Sequence, residues 1–112
     1  MPEAKSPKPV EFRPRPEKIR DLVHQLAADT RKIFWTPHAH ERMAERDITD
    51  RTAVDVLRTG SPRGLIEPGK HSGERKVKMV KEVKGRREAG VVVLTIRNER
   101  LLVKTVEWED VK

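Results

Sequence analysis

The sequence predicts an α+β domain: an N-terminal helix and two short helices packed on a three- to four-stranded antiparallel sheet. Three observations predict it. Apolar residues recur at helical spacing through the first half of the chain. The second half, from 74 to 108, alternates apolar with charged residues and then runs continuously apolar, as strands do. Between the apolar segments of the first half stand Thr36-Pro37 and Thr49-Asp50, two pairs with the chemistry of helix starts.

The elements follow in order. Residues 1–16 hold five of the eight prolines and no apolar pattern, which predicts a disordered tail. Such a tail serves either as a solvated linker or as an arm laid on a partner or nucleic acid. A single domain is expected over 17–112. Ile19, Leu22, Val23, Leu26 and Ala27 mark one stripe of a helix over roughly 17–31, with Pro16 at its first turn. Ile33, Phe34 and Trp35 read as a short strand ended by Pro37. Thr36 then caps a helix of about two turns over 38–45, which buries Ala39 and Met43. Asp47 breaks it and Ile48 returns to the core. A third helix over 50–59 buries Ala53, Val54 and Leu57 and closes at Gly60, with Pro62 beyond. Residues 64–66 form a short strand. In 74–84, Val77, Met79 and Val83 share one face while Lys76, Lys78, Glu82 and Lys84 share the other, Val80 excepted. The run 91–96 is apolar on both faces, as a central strand is, and pairs with 100–108 across a turn at Asn98-Glu99.

Composition narrows the function. At 112 residues the chain supports one modest core, which excludes a two-domain cofactor enzyme. Apolar residues make up 35%, below the usual ~45–50%, and charged residues 38%, which fits a folded body with polar appendages. Basic residues outnumber acidic ones by 25 to 18, a net charge of +7 that favours a polyanionic partner. With no cysteine there is no disulfide, thiolate metal site or cysteine nucleophile. The sequence shows neither a membrane-length apolar run nor a signal-peptide core, so a soluble cytoplasmic protein is expected.

The charge is uneven. Residues 70–87 hold eight basic side chains against Glu74 and Glu82. Lys76, Lys78 and Lys84 on one strand face, with Arg86 and Arg87 in the turn that follows, form a candidate phosphate-tracking surface. The same lysines also serve to blunt and solubilise a sheet edge. Tyrosine is absent and only Phe12, Phe34, Trp35 and Trp108 are aromatic, so a base-stacking platform is not expected.

The compact constellation is Thr36 to Ile48. His38, Arg42 and Arg46 recur every four residues and line one side of a helix. An imidazole beside two guanidiniums suits phosphodiester chemistry: the cations grip phosphate and favour the neutral, base-competent histidine. The structural alternative is that the arginines pair with Glu41, Glu45 or Asp47 while His38 fills a helix terminus. His38 and His40 are two apart and cannot face one metal together. His24 and His71 lack ligand spacing too, so no metal is expected.

His38, Ala39, Glu41, Arg42, Met43, Glu45, Arg46 and Ile48, followed by Leu57-Arg58 and Gly60, resemble the signature of a family of small bacterial proteins of unknown function. The apolar run 91–96 and the strand from Leu101 to Trp108 resemble the family's later part. The resemblance spans about 33–108. Asp47 stands where the family commonly has glycine, and residues 1–32 are additional. The family is similar in architecture to RelE- and BrnT-like ribonuclease toxins of toxin–antitoxin pairs. The resemblance implies metal-independent RNA cleavage with the ribose 2′-hydroxyl as nucleophile. His38 would be the general base or acid, and Arg42, Arg46 and Lys76 or Lys78 would hold phosphate. RNA and an antitoxin protein would be partners, and no cofactor is implied. The alternative is a non-catalytic basic module that binds nucleic acid or protein.

Overall fold

The computed structural model describes residues 15–109. The proline-rich tail expected over 1–16 falls outside these residues, apart from Arg15 and Pro16. Helix α1 runs Pro16–Ala27 with proline at its start, and it buries Ile19, Val23, Leu26 and Ala27. It stops short of residue 31 because Asp29 accepts a hydrogen bond from the Arg31 amide and caps a separate 3₁₀ turn, Thr30–Lys32. Strand β1 is Ile33–Trp35.

Helix α2 is Pro37–Arg46, capped by the Thr36 hydroxyl, which accepts from the Ala39 amide at 3.0 Å. It ends at Asp47, which takes the left-handed conformation (φ 56°, ψ 44°) and lets the Ile48 amide reach back to the Met43 carbonyl at 3.0 Å. That conformation explains why glycine suits this position, since a Cβ makes it costly. Asp47→Gly is therefore expected to raise stability by up to about 1 kcal/mol, read as a higher denaturant midpoint. Helix α3 is Asp50–Thr59, with the Thr49 hydroxyl accepting from the Thr52 amide at 3.1 Å. It buries Ala53, Val56 and Leu57.

Strands β2 (Ser61–Pro68), β3 (Glu74–Glu82), β4 (Glu88–Ile96) and β5 (Arg100–Trp108) complete one five-stranded sheet, in the order β1-β5-β4-β3-β2. The fold class is the α+β expected, but the sheet is larger and mixed. Strand β1 pairs parallel with β5, Phe34 opposite Leu102, because α2, α3 and three further strands intervene before β5 returns to it. Strand β2 reaches well past 64–66 on both sides. Its register breaks between Arg63 and Glu67 at a bulge in which Gly64 has φ 82°. An edge position lets it hold Pro62 and Pro68 without losing ladder bonds. The β4–β5 turn places Arg97 and Asn98 at φ 52° and 58°, the pattern of a tight hairpin turn.

Helices cover one sheet face. Val77 and Met79 of β3, Val91 and Val93 of β4 and Leu101, Val103 and Val106 of β5 share one buried cluster with α1, α2 and α3. Pleating sends Lys76, Lys78, Val80, Val92, Leu94, Ile96, Leu102 and Phe34 to the opposite face, and none of them belongs to that cluster. Polar contacts join α1 to α3. The Arg58 guanidinium donates to the Ala27 carbonyl at 2.8 Å, and the His24 Nε2–H donates to the Gly60 carbonyl at 2.7 Å. In this chain Arg58 and Gly60 of the helical motif are fold residues.

Candidate functional site

Helix α2 is held against β5 at both ends. At its start the Thr36 hydroxyl donates to the Lys104 carbonyl at 3.2 Å and the Thr36 amide donates to the Val103 carbonyl at 3.1 Å. At its end Arg46 donates to the Val106 carbonyl at 3.3 Å, and the Trp108 indole donates to the Arg46 carbonyl at 2.7 Å. Ala39 and Met43 are buried between these fixings, so the face carrying His38, Arg42 and Arg46 is set by packing.

The three side chains do not converge on one point. At 1.5 Å per residue, His38 and Arg46 stand about 12 Å apart along the axis. His38 is exposed in the first turn with no hydrogen-bond partner among the described residues. Arg42 pairs with Glu45 one turn on, as the structural alternative anticipated for one of the two arginines. Arg46 pairs with a backbone carbonyl and, among the described residues, with no acid. His40, not His38, lies against Trp35, with ring centroids 6.0 Å apart.

The basic strand and turn divide. The 3₁₀ turn Lys84–Arg86 carries exposed Lys84 and Arg86, with Gly85 and Arg86 at φ 60° and 67°. Arg87 lies over the Trp108 ring at 3.9 Å, a cation–π contact. Since Trp108 also bonds Arg46, residues 86 and 87 stand at the same end of the sheet as the end of α2. Two parts of the sequence that looked separate, the helical motif and the basic turn, meet there.

Lys76 and Lys78 lie elsewhere, on the sheet face that no helix among the described residues covers. Lys76 is within 3.4 Å of Glu67. Lys78 bonds Glu109 at 2.8 Å and Glu107 at 3.2 Å. Arg63 makes a bidentate pair with Glu88 at 2.9 and 3.0 Å and stands 3.8 Å from Glu109. Gly90 makes room for this network: a Cβ there would lie 2.5 Å from Glu109 Oε2. Sequence reasoning missed the network, although a lone glycine inside a valine-rich strand is a sign of close approach.

The network has a pH signature. The hydrogen bonds from Arg63 hold the Glu88 carboxyl below its ordinary value. Glu109 and then Glu107 hold the Lys78 ammonium above its ordinary value, against desolvation. A lowered carboxyl stabilises the fold above its unfolded pKa of 4.5 and loses that contribution as pH falls through the folded value. A raised ammonium stabilises the fold below 10.5 and loses that contribution as pH rises through the folded value. The contribution of these two groups to the denaturant midpoint should therefore be constant between these limits and fall away beyond each. In Lys78→Met the alkaline fall due to this group should vanish while the acid fall remains.

An open groove of about 950 Å³ separates α3 from the end of β3, lined by Arg51, Arg58, Lys81 and Lys84 against Asp50, Asp55 and Glu82. Lys81 there bonds Asp55 at 2.7 Å, so the groove is mixed in charge. Among the described residues no three of His, Asp or Glu come together to hold a metal ion, and no helix is long and apolar enough to cross a membrane.

Residues 35–108, well over half of the chain, match the family described as a domain of unknown function, DUF4258. The match begins at the last residue of β1 and ends at Trp108, so it covers α2, α3 and β2 to β5 but not α1. No curated protein and no solved structure matches the chain.

Proposed function

The chain belongs to the DUF4258 family, and from its α2 face and the adjoining basic turn we propose that it binds RNA and cleaves it without a metal, as the toxin of a cytoplasmic toxin–antitoxin pair. The observation that carries the reading is the clamped helix. His38, Arg42 and Arg46 recur on a face whose orientation is set by hydrogen bonds at both ends. A rigid row of cations with an imidazole at one end can hold successive phosphates and move a proton at one of them. In cleavage the ribose 2′-hydroxyl attacks the neighbouring phosphorus, the bond to the departing 5′-oxygen breaks, and His38 takes or gives the proton. Arg42 releases Glu45 to reach phosphate, an exchange of one exposed ion pair for another. Lys84 and Arg86 extend the track beyond Arg46.

We keep Lys84 and Arg86 in the proposed binding surface, both being exposed, and leave Lys78 out of it. Lys78 is neutralised by two carboxylates and serves the sheet. A fluorescence-anisotropy salt titration on unstructured RNA tests the assignment. Arg42→Ala/Arg46→Ala/Lys84→Ala should flatten the log-affinity against log-salt slope by about 2, at ~0.7 per single-strand phosphate contact. Lys78→Ala should leave that slope unchanged. A slope altered by Lys78→Ala and untouched by the triple variant would move the interface to the sheet face opposite the helices.

One observation favours a second reading, a basic module that binds without cleaving. No side chain among the described residues orients the His38 ring, whereas histidine bases are commonly held by a second group. Incubating the folded protein with unstructured RNA, with and without ribosomes and chelator, decides between the two. Cleavage that survives chelator supports the ribonuclease. Salt-sensitive binding with no cleavage supports the module.

A further inference from the structure

We propose that the apolar half of the sheet face opposite the helices, centred on Phe34, Leu94 and Leu102, docks an acidic segment of a second protein. The registers put these three side chains in one row across three strands, Leu94 opposite Leu102 and Leu102 opposite Phe34. Val92 and Ile96 flank Leu94 on the same face of β4. Phe34 is 50% exposed, one of two large apolar side chains left so open among the described residues. None of the five belongs to the cluster beneath the helices, yet only Phe34 is exposed: Val92, Ile96 and Leu102 are half-buried and Leu94 is buried among its neighbours. A contiguous apolar patch on a small, highly charged chain marks an interaction site more often than a scattered exposed leucine does.

The charges around the patch say what kind of partner fits. The same sheet face is split in two. In one half Arg63 and Lys78 are balanced by Glu88, Glu107 and Glu109, so that half is electrostatically closed. The apolar half is rimmed by Arg100 and Lys104, which are exposed and have no acidic partner among the described residues, and by Lys32, whose charge acts on Asp29. Arg100 stands opposite Ile96 in the ladder, and Lys104 is two residues beyond Leu102 on β5. Glu99, in the adjoining turn, is the acid next to this rim in the chain. An apolar centre with a cationic rim is complementary to a segment that alternates apolar residues with Asp or Glu. A second copy of this chain fits poorly, because its own +7 would meet the same rim. RNA offers charge but no aliphatic anchors for Phe34 and Leu102.

The proposal does not rest on the RNA reading, since α2 packs on the other face of the sheet. It is tested on the full chain by amide chemical-shift titration with three short synthetic peptides. One alternates Leu with Glu, one alternates Leu with Lys, and one alternates Ser with Glu. The Leu/Glu peptide should bind and shift Phe34, Leu94, Ile96 and Leu102, and the other two should bind at least about tenfold more weakly. Phe34→Ser should weaken the Leu/Glu peptide by about tenfold, the loss of one central aromatic anchor. Arg100→Glu/Lys104→Glu, which leaves the apolar row intact, should weaken it and improve the Leu/Lys peptide. That charge reversal keeps the test available if Phe34→Ser fails to fold. Arg42→Ala/Arg46→Ala should leave peptide binding unchanged, whatever it does to RNA.

Equal binding of the Leu/Glu and Leu/Lys peptides, or no binding, would overturn the proposal. So would a wild-type dimer in sedimentation that Phe34→Ser dissolves, which would assign the patch to a second copy. Shifts at Phe34 and Leu102 produced by oligouridylate in place of the peptide would assign it to RNA.

Discussion

His38→Ala is expected to slow RNA cleavage by about 10²–10⁴-fold, the usual contribution of general acid–base catalysis, while leaving the fold and RNA binding intact. The separation of effects follows from where the residue stands. His38 is exposed and bonds to nothing among the described residues, so its loss leaves no buried group unpaired. The turn it occupies is held by other residues: the Thr36 hydroxyl caps the Ala39 amide, and Pro37 fills the first helical position. Alanine is a better helix former than histidine, so the helix should not weaken. Arg46→Ala should behave differently, lowering affinity and turnover together, because on the proposed reading it removes a phosphate contact made throughout the reaction. It also removes the bond to the Val106 carbonyl, so its stability must be measured alongside. Cleavage unchanged in folded His38→Ala would place the chemistry away from α2. Cleavage absent in wild type, with or without ribosomes, would leave the binding module as the reading.

Gly60→Val is expected to cost about 3 kcal/mol or more, the upper end of what overpacking does. The reason is space and not backbone conformation, for Gly60 has φ −81°, open to any residue. A Cβ there would lie 2.5 Å from the Val56 carbonyl oxygen and 2.8 Å from that of Val80. Both are backbone atoms in regular elements and cannot step aside as a flexible side chain would. Relief would require parting α3 from β3. Gly60 also supplies the carbonyl that His24 bonds, so any shift there loosens α1 as well. Gly64→Ala is the control: nothing stands within 4 Å of its Cβ, and only its φ of 82° resists, at about 1 kcal/mol. Urea midpoints of the two variants should differ accordingly. Near-equal loss would mean that α3 and β3 can separate at little cost.

Much of the local structure was legible in the sequence because it is decided locally. Thr36-Pro37 and Thr49-Asp50 start α2 and α3 with the caps their side chains suggest, and Gly60 ends α3. Alternation placed Val77 and Met79 on the buried face of β3, and the unbroken apolar run placed β4 in the interior of the sheet. The ends were less legible. Asp29 cut α1 short by capping the next turn, a competition of a few tenths of a kcal/mol to about 1 kcal/mol that periodicity does not register. What only the tertiary structure decided is pairing over long distance. Three apolar residues, 33–35, carry no instruction about partner or direction, and their parallel pairing with β5 follows from where α2 and α3 return the chain. The lysines of β3 read as one basic row, because alternation fixes which face a side chain takes but not what it meets there. Glu67 met Lys76 across the β2–β3 hairpin, and Glu107 and Glu109, some thirty residues on, met Lys78. The meeting of Arg46 with Trp108, and of Trp108 with Arg87, has the same origin. The sequence determined which residues carry charge and on which face of each element they stand; only the packed sheet decided which charges are cancelled and which remain for a partner.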